Sequence, residues 1–184
     1  MTHLQQKTVR KLLDYDPETG LFTWKARDPK WFSDEKWGPE WRAAQWNSRC
    51  AGRPAFTTKK ERGYLSGTIF GSFYRAHRIA WLYHYGTWPD EIDHINGDTS
   101  DNRIENLRSV SHTENMRNCK LRKDNSSGVS GVNWSKTAKK WSARCNTDNG
   151  RKFLGYFNCL TAARVAKAKE EATWGYHENH GAKR

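Results

Sequence analysis

Residues 91–118, EIDHINGDTSDNRIENLRSVSHTENMRN, constrain this chain more than any other stretch. Residues 91–95 read as a short strand carrying apolar Ile92 and Ile95. Asn96-Gly97-Asp98 is a turn, because an Asn-Gly pair adopts the positive φ that a tight reversal needs. Residues 99–108 are polar and rich in Asn and Asp, which predicts a loop, and residues 106–110 are a second short extended run. Ser111 with Glu114 three positions on has the form of a capping box, so a helix is expected from His112 into Lys120. Strand, loop, strand and helix in this order would bring Asp93 and His94 next to the helix that carries Asn115.

These residue types suit phosphodiester cleavage. The reaction needs an activated water, stabilisation of charge on the phosphoryl oxygens and help for the leaving oxygen. A neutral imidazole can accept the proton. Asp93 and the amide oxygen of Asn115 are hard donors suited to Mg²⁺, which keeps several waters and takes few protein ligands. In a regular strand, however, His94 points to the face opposite Asp93, and both address one site only across a bulge or bend. Asn106 can orient the motif by bonding either the His94 imidazole or local backbone.

The stretch resembles the HNH (His-Asn-His) nuclease motif, the beta-beta-alpha-metal fold. It is most similar to the variant of phage and intron-encoded homing endonucleases, D-H-x-N-G-D…D-N-R-x-x-N-L-R…N, matched here by Asp93, His94, Asn96, Gly97, Asp98, Asp101, Asn102, Arg103, Asn106, Leu107, Arg108 and Asn115. The resemblance implies His94 as general base, Asn106 as the central Asn, and Asp93 and Asn115 as ligands of one Mg²⁺ or Mn²⁺ ion per active site. The bland alternative is a polar loop that only caps secondary structure.

The chain has 184 residues and a formal net charge of +12, with 32 Lys and Arg against 20 Asp and Glu. That balance favours a polyanion, here double-stranded DNA. No apolar run approaches a membrane span, and the N-terminus lacks a signal-peptide core, so a cytoplasmic protein is expected, in a bacterial host if phage-encoded. Cys50, Cys119, Cys145 and Cys159 form no C-x-x-C pair, and no zinc clamp is expected. The ten tryptophans are expected mainly as core anchors.

Before the motif, residues 2–13 predict a helix, 16–20 a turn and 21–25 a strand. The run LLDYDPETGLFTWK resembles the opening of many phage HNH proteins. Residues 27–49 place Trp31, Trp37, Trp41 and Trp46 among charges, with Pro29 and Pro39 as breakers, and predict no regular structure. Residues 64–70 and 72–76 predict a hairpin about Gly71. Residues 76–85 predict a helix ended by Gly86. His77 and Arg78 at its start are candidate phosphate contacts, with a structural role for His77 as the alternative.

After a basic linker, a domain boundary is expected near residue 124. It divides residues 1–123, with the nuclease core at 64–120, from residues 124–184. In the second part, residues 131–134, 140–146 and 151–157 read as three antiparallel strands, and residues 160–174 as an Ala-rich helix capped by Asn158 or Thr161. Alternation sets Trp141, Ala143 and Cys145 on one face and Ser142, Arg144 and Asn146 on the other. The pattern S-G-V-x-G-V-x-W…W-x-A-R…L-G-x-F…A-A resembles the ethylene-response-factor-type (APETALA-type) DNA-binding domain, which implies a sheet entering the major groove. Candidate DNA contacts are Asn133, Lys136, Lys139, Arg144, Asn146, Arg151 and Lys152. Ser130, Asn133 and Asn146 stand where basic readers are common in that family.

The expected fold is therefore α+β: a beta-beta-alpha-metal nuclease domain followed by a small three-stranded antiparallel sheet on one helix. The expected activity is metal-dependent DNA nicking of the homing type, leaving 5′-phosphate and 3′-hydroxyl ends, by a monomer or weak dimer without an organic cofactor. The alternatives are a non-catalytic DNA-binding regulator and an RNA-directed protein.

Overall fold

A computed structural model describes residues 4–33, 36–117, 121, 124–147 and 149–176. The described residues form a mixed α/β structure with small antiparallel sheets. The chain divides into two compact units, Met1–Ser109 and Val110–Arg184, so the division falls ahead of the motif helix and not at the linker near residue 124.

The first unit opens with helix α1 (Gln6–Leu12), then β1 (Leu13–Tyr15), β2 (Phe22–Trp24) and, beyond a 3₁₀ turn at Pro29–Trp31, helix α2 (Gly38–Cys50). Strands β1, β2 and β3 (Pro54–Ala55) form one sheet in that order. The helix α2 was not expected. Pro39 stands in its first turn, where its missing N–H costs nothing and its fixed φ suits the helix, so the residue that reads as a breaker is a starter.

Strands β4 (Thr58–Lys59), β5 (Leu65–Ile69) and β6 (Ser72–Arg75) make a second sheet. Ile69 pairs with Ser72, which leaves Phe70 and Gly71 as a two-residue loop with φ of 50° and 75°. Two positive φ values define the turn that matches strand twist, and they lock the hairpin register. Helix α3 (Ala76–Tyr85) follows at once. Gly86, at φ 81°, ends it by donating its N–H to the Leu82 carbonyl. The helix buries Ile79, Ala80 and Leu82 against Val9, Leu12, Leu13 and Phe22. A fully buried aliphatic side chain contributes roughly 1.5–3 kcal/mol, so this face is what holds α3 in place.

The core is mainly aliphatic, with Tyr15, Phe22 and Phe56 as its buried rings. All ten tryptophans are described and none is fully buried: Trp24, Trp31, Trp81 and Trp88 pack on the core's rim, while Trp37, Trp41 and Trp134 are exposed. The expectation of tryptophan core anchors is corrected to that extent. The wide indole rings lie where a small core meets solvent.

Strand β7 (Glu91–His94) pairs with β8 (Leu107–Val110) across the motif loop. The second unit begins with helix α4 (His112–Arg117). Ser111 donates its N–H to Glu114 Oε2 at 2.7 Å, and Glu114 N–H reaches Ser111 Oγ at 3.3 Å, which is the expected capping box. The expected extension of α4 through Lys120 lies outside the described residues.

Strands β9 (Val132–Ser135), β10 (Lys140–Thr147) and β11 (Gly150–Phe157) form a sheet in the order β11-β10-β9, and helix α5 (Leu160–Thr173) covers one face through Ala163 and Leu160 on Val132 and Ala143. The helix cap is neither Asn158 nor Thr161 but Cys159, whose Sγ accepts the Ala162 N–H at 3.4 Å. Lys167 is buried within this unit and paired to Glu171 at 2.9 Å, with its stem and ammonium over the Tyr176 ring.

Candidate active site

Along β7 burial alternates, with Ile92 and His94 buried and Glu91 and Asp93 more open. The strand therefore keeps its regular alternation, and His94 turns inward. There it meets two aromatic rings. His77, from the first turn of α3, lies edge-on to His94 with ring centroids 5.1 Å apart. Tyr64 lies 5.2 Å from His77 and 5.9 Å from His94. Both histidines are 5 % exposed, and His77 Nδ1 and His94 Nε2 have no hydrogen-bond partner among the described residues.

Two imidazoles this close and this dry remain neutral. Burial pushes His77 down to about 3, with smaller pushes from His94, Arg75 and Arg78. Burial also lowers His94, against an opposing pull from the Asn102 side chain and from Asp93, Asp101 and Asp98. The Asn102 amide lies beside the ring, although Asn102 Oδ1 makes no hydrogen bond of good geometry. His77 is thus not the expected phosphate contact, because a neutral buried ring offers a phosphate no charge. Its structural alternative fits instead. Arg78 is also committed elsewhere: its guanidinium donates to the carbonyls of Pro89 and Asp90 at 2.8 and 3.1 Å, fixing the entry to β7.

Asp93 is held by Arg108, whose Nη2 and Nε donate to the same carboxylate oxygen, Oδ2, at 2.6 and 3.0 Å. The side chains are 31 % and 19 % exposed for Arg108 and Asp93, so the pair is partly screened and fixes the carboxylate's orientation. Arg108 belongs to the motif, but its partner was not evident from sequence.

Asn106 bonds backbone and not the imidazole. Its Oδ1 accepts the Asn96 N–H at 2.9 Å, and its Nδ2 donates to the Asp101 carbonyl at 2.9 Å. One buried carboxamide thereby ties together both ends of the tight segment 96–101. The loop is cross-braced further. Asp101 receives Arg103 Nη2 at 2.8 Å, and this guanidinium holds its carboxyl down to about 2. Tyr15 donates its hydroxyl to the Asn102 carbonyl at 2.8 Å, and Ile104 N–H reaches the Pro17 carbonyl at 3.1 Å. Gly20, at φ 72°, comes so close that an added Cβ would stand 2.5 Å from Arg103 N and Asn102 C. The opening turn at residues 16–20 is thus a buttress for the motif loop.

Residues 74–117 match the HNH endonuclease family. The match starts in β6, takes in α3 with His77, and ends with α4. The chain is also similar to Protein 3.8 of Escherichia phage T7, with 36 % identity over 77 residues. The alignment spans 39 % of this chain and 64 % of that protein. No solved structure matches the chain. The family match does not reach the C-terminal sheet, and no comparison supports the expected resemblance of that sheet to the ethylene-response-factor-type domain.

Asp93 carries a carboxylate and Asn115 a carboxamide, both hard oxygen donors of the kind that suits Mg²⁺. Asn115 is partly buried on α4 in the second unit. No group of three or more His, Cys, Asp or Glu able to hold a metal occurs among the described residues. No helix among them is long and apolar enough to cross a membrane.

On the C-terminal sheet, Arg144 and Arg151 share the face away from α5. Arg144 pairs in register with Phe153, and Asn146 with Arg151. Asn133 lies opposite Ser142 on that same face. Lys136 and Lys139 are exposed in the β9–β10 turn. Lys152 does not belong with them. It pairs with Cys145 on the helix side and donates to Glu170 of α5 at 2.8 Å. Alternation along β11 puts it opposite its neighbour Arg151, so its expected place among the DNA contacts is corrected.

Proposed function

We propose that this protein is a metal-dependent DNA endonuclease that nicks one strand, leaves 5′-phosphate and 3′-hydroxyl ends, and serves a homing role. The observation that carries the reading is His94: a neutral imidazole with an unpartnered Nε2, one residue from a fixed carboxylate, inside a segment that matches an HNH endonuclease family.

His94 is the residue proposed to accept the proton of the attacking water; burial lowers its proton affinity, and because β7 alternates, the strand end must bend for the imidazole to reach the Asp93 side. Asp93 and Asn115 are the residues that would hold one Mg²⁺ or Mn²⁺ ion. When bound, such an ion neutralises charge on the phosphoryl and leaving oxygens. Arg108 keeps the Asp93 carboxylate turned for that task, and Asn106 keeps the loop between the two strands closed. The basic face of the C-terminal sheet, with Arg144, Arg151, Lys136 and Lys139, adds sequence-independent attraction to DNA.

The test is supercoiled plasmid incubated with the protein, with and without Mg²⁺ or Mn²⁺, beside His94→Ala. A metal-dependent open-circular product that disappears in the variant is expected. A DNA mobility shift with no product on any substrate, flanking DNA of its own gene included, would identify a DNA-binding regulator instead.

A further inference from the structure

The open face of the C-terminal sheet carries a feature that alternation forbids. Phe153 and Tyr156 are three residues apart on β11, so a regular strand would send them to opposite faces. The register shifts between Ala143, opposite Gly155, and Arg144, opposite Phe153, so Leu154 is an extra residue on β11. This is a β-bulge, and Gly155 at φ 127° permits its backbone. The bulge resets the parity. Leu154 and Phe157 both turn to the hydrophobic core under α5, and Phe153 and Tyr156 both turn outward.

The outward rings are 49 % and 52 % exposed and meet edge-to-face at 5.1 Å. Arg144 stands over Phe153 at 5.9 Å. Arg144, Arg151, Phe153 and Tyr156 line a shallow depression of about 380 Å³. Neither arginine is ion-paired among the described residues, and no residue paired across this face is acidic. Two large aromatic rings held out of the core beside two free guanidinium groups fit a polyanion that also presents flat apolar faces.

We infer that this face is a stacking platform for unpaired bases of single-stranded DNA. A duplex hides its base faces in the helical stack and offers only edges and phosphates. An unpaired base offers its π face to Phe153 or Tyr156, and its flanking phosphates reach Arg144 and Arg151. The inference is independent of the chemistry assigned to His94, and it is tested without turnover.

The experiment measures fluorescence anisotropy of the full chain in EDTA. The probes are a labelled oligothymidylate of about 16 nucleotides, a duplex of the same length and the matching oligouridylate. Phe153→Ala and Tyr156→Ala should each weaken oligothymidylate binding by about 5- to 100-fold. Duplex binding should change by less than about threefold. Phe153→Trp should restore the single-strand affinity, and Phe153→Leu, which keeps an apolar side chain without a π face, should not. The ring variants should leave the salt dependence unchanged, whereas Arg151→Gln should lower its slope by roughly 0.7. Equal weakening of duplex and single strand, or no weakening of either, would overturn the platform. An oligouridylate bound more than tenfold tighter would overturn the choice of DNA, and a dimer that dissociates in Phe153→Ala would give the face to a second copy of the chain.

Discussion

The buried end of β7 and the open face of β10 and β11 place polar and aromatic groups under opposite rules. At β7 nearly every functional group has a fixed neighbour. His94 is walled by His77 and Tyr64, Asp93 is gripped by Arg108, and Asn106 is bonded at both ends of its carboxamide. On the open sheet face, Arg144 and Arg151 lack ion pairs among the described residues and two rings are about half exposed. The first region is preorganised, as the proposed cleavage chemistry requires. The second is open to solvent, as the proposed contact with single-stranded DNA requires. Burial costs ionisation at β7.

The largest effect that would break this contrast concerns His94. His94→Ala should lower nicking by about 10²- to 10⁴-fold, with DNA affinity preserved. Because burial lowers the imidazole, the acid limb of the rate profile should lie below pH 6.5 for the wild-type protein. An acid limb above 6.5 would contradict a buried neutral base.

Next in size is acid lability. Unfolded His77 takes up a proton near pH 6.5, whereas in the folded chain it does so only near 3. The unfolded state therefore binds more protons in this window, and stability falls as pH drops from 6.5 to about 3. The loss should be on the order of a few kcal/mol and smaller in His77→Phe, as read by urea titrations across pH. Equal acid sensitivity in both proteins would mean that His77 is not buried neutral.

Gly20→Ala should cost about 2–3 kcal/mol, since the new Cβ meets backbone atoms of Asn102 and Arg103 and the position requires positive φ. Thermal melts would measure the cost. Nicking should fall with it, because the displaced backbone belongs to the motif loop. The smallest effect is expected at Lys152→Gln. Its partner lies on α5 and its side chain is 54 % exposed, so stability should change by less than about 1 kcal/mol. Single-strand binding should move far less than in Arg144→Gln. Equal losses would place both residues on one face and contradict the register.

Local features of the fold were legible because they are written at short range. The hairpin at Gly71, the helix stopped by Gly86 and the Ser111–Glu114 box each depend on residues within a few positions. Helix α2 is not legible in the sequence for a physical reason: Pro39 forbids a helix interior but favours a helix start, and composition does not distinguish the two. The site was legible as residue types at His94, Asp93 and Asn106, but their partners were not. Tyr64 carries no local signal, and His77 reads equally as a surface cap.

By itself the sequence determined the order of elements from β5 onward, the basic charge and the HNH-like spacing from Asp93 to Asn115, since turns, caps and periodicity act along the chain. The tertiary structure alone decided that His77 is a neutral neighbour of His94, that Arg108 grips Asp93, and that the turn at residues 16–20 buttresses the motif loop. It alone decided that one bulge residue turns Phe153 and Tyr156 to the same side. Burial and cross-strand register join residues distant in sequence, and both depend on how the whole unit packs.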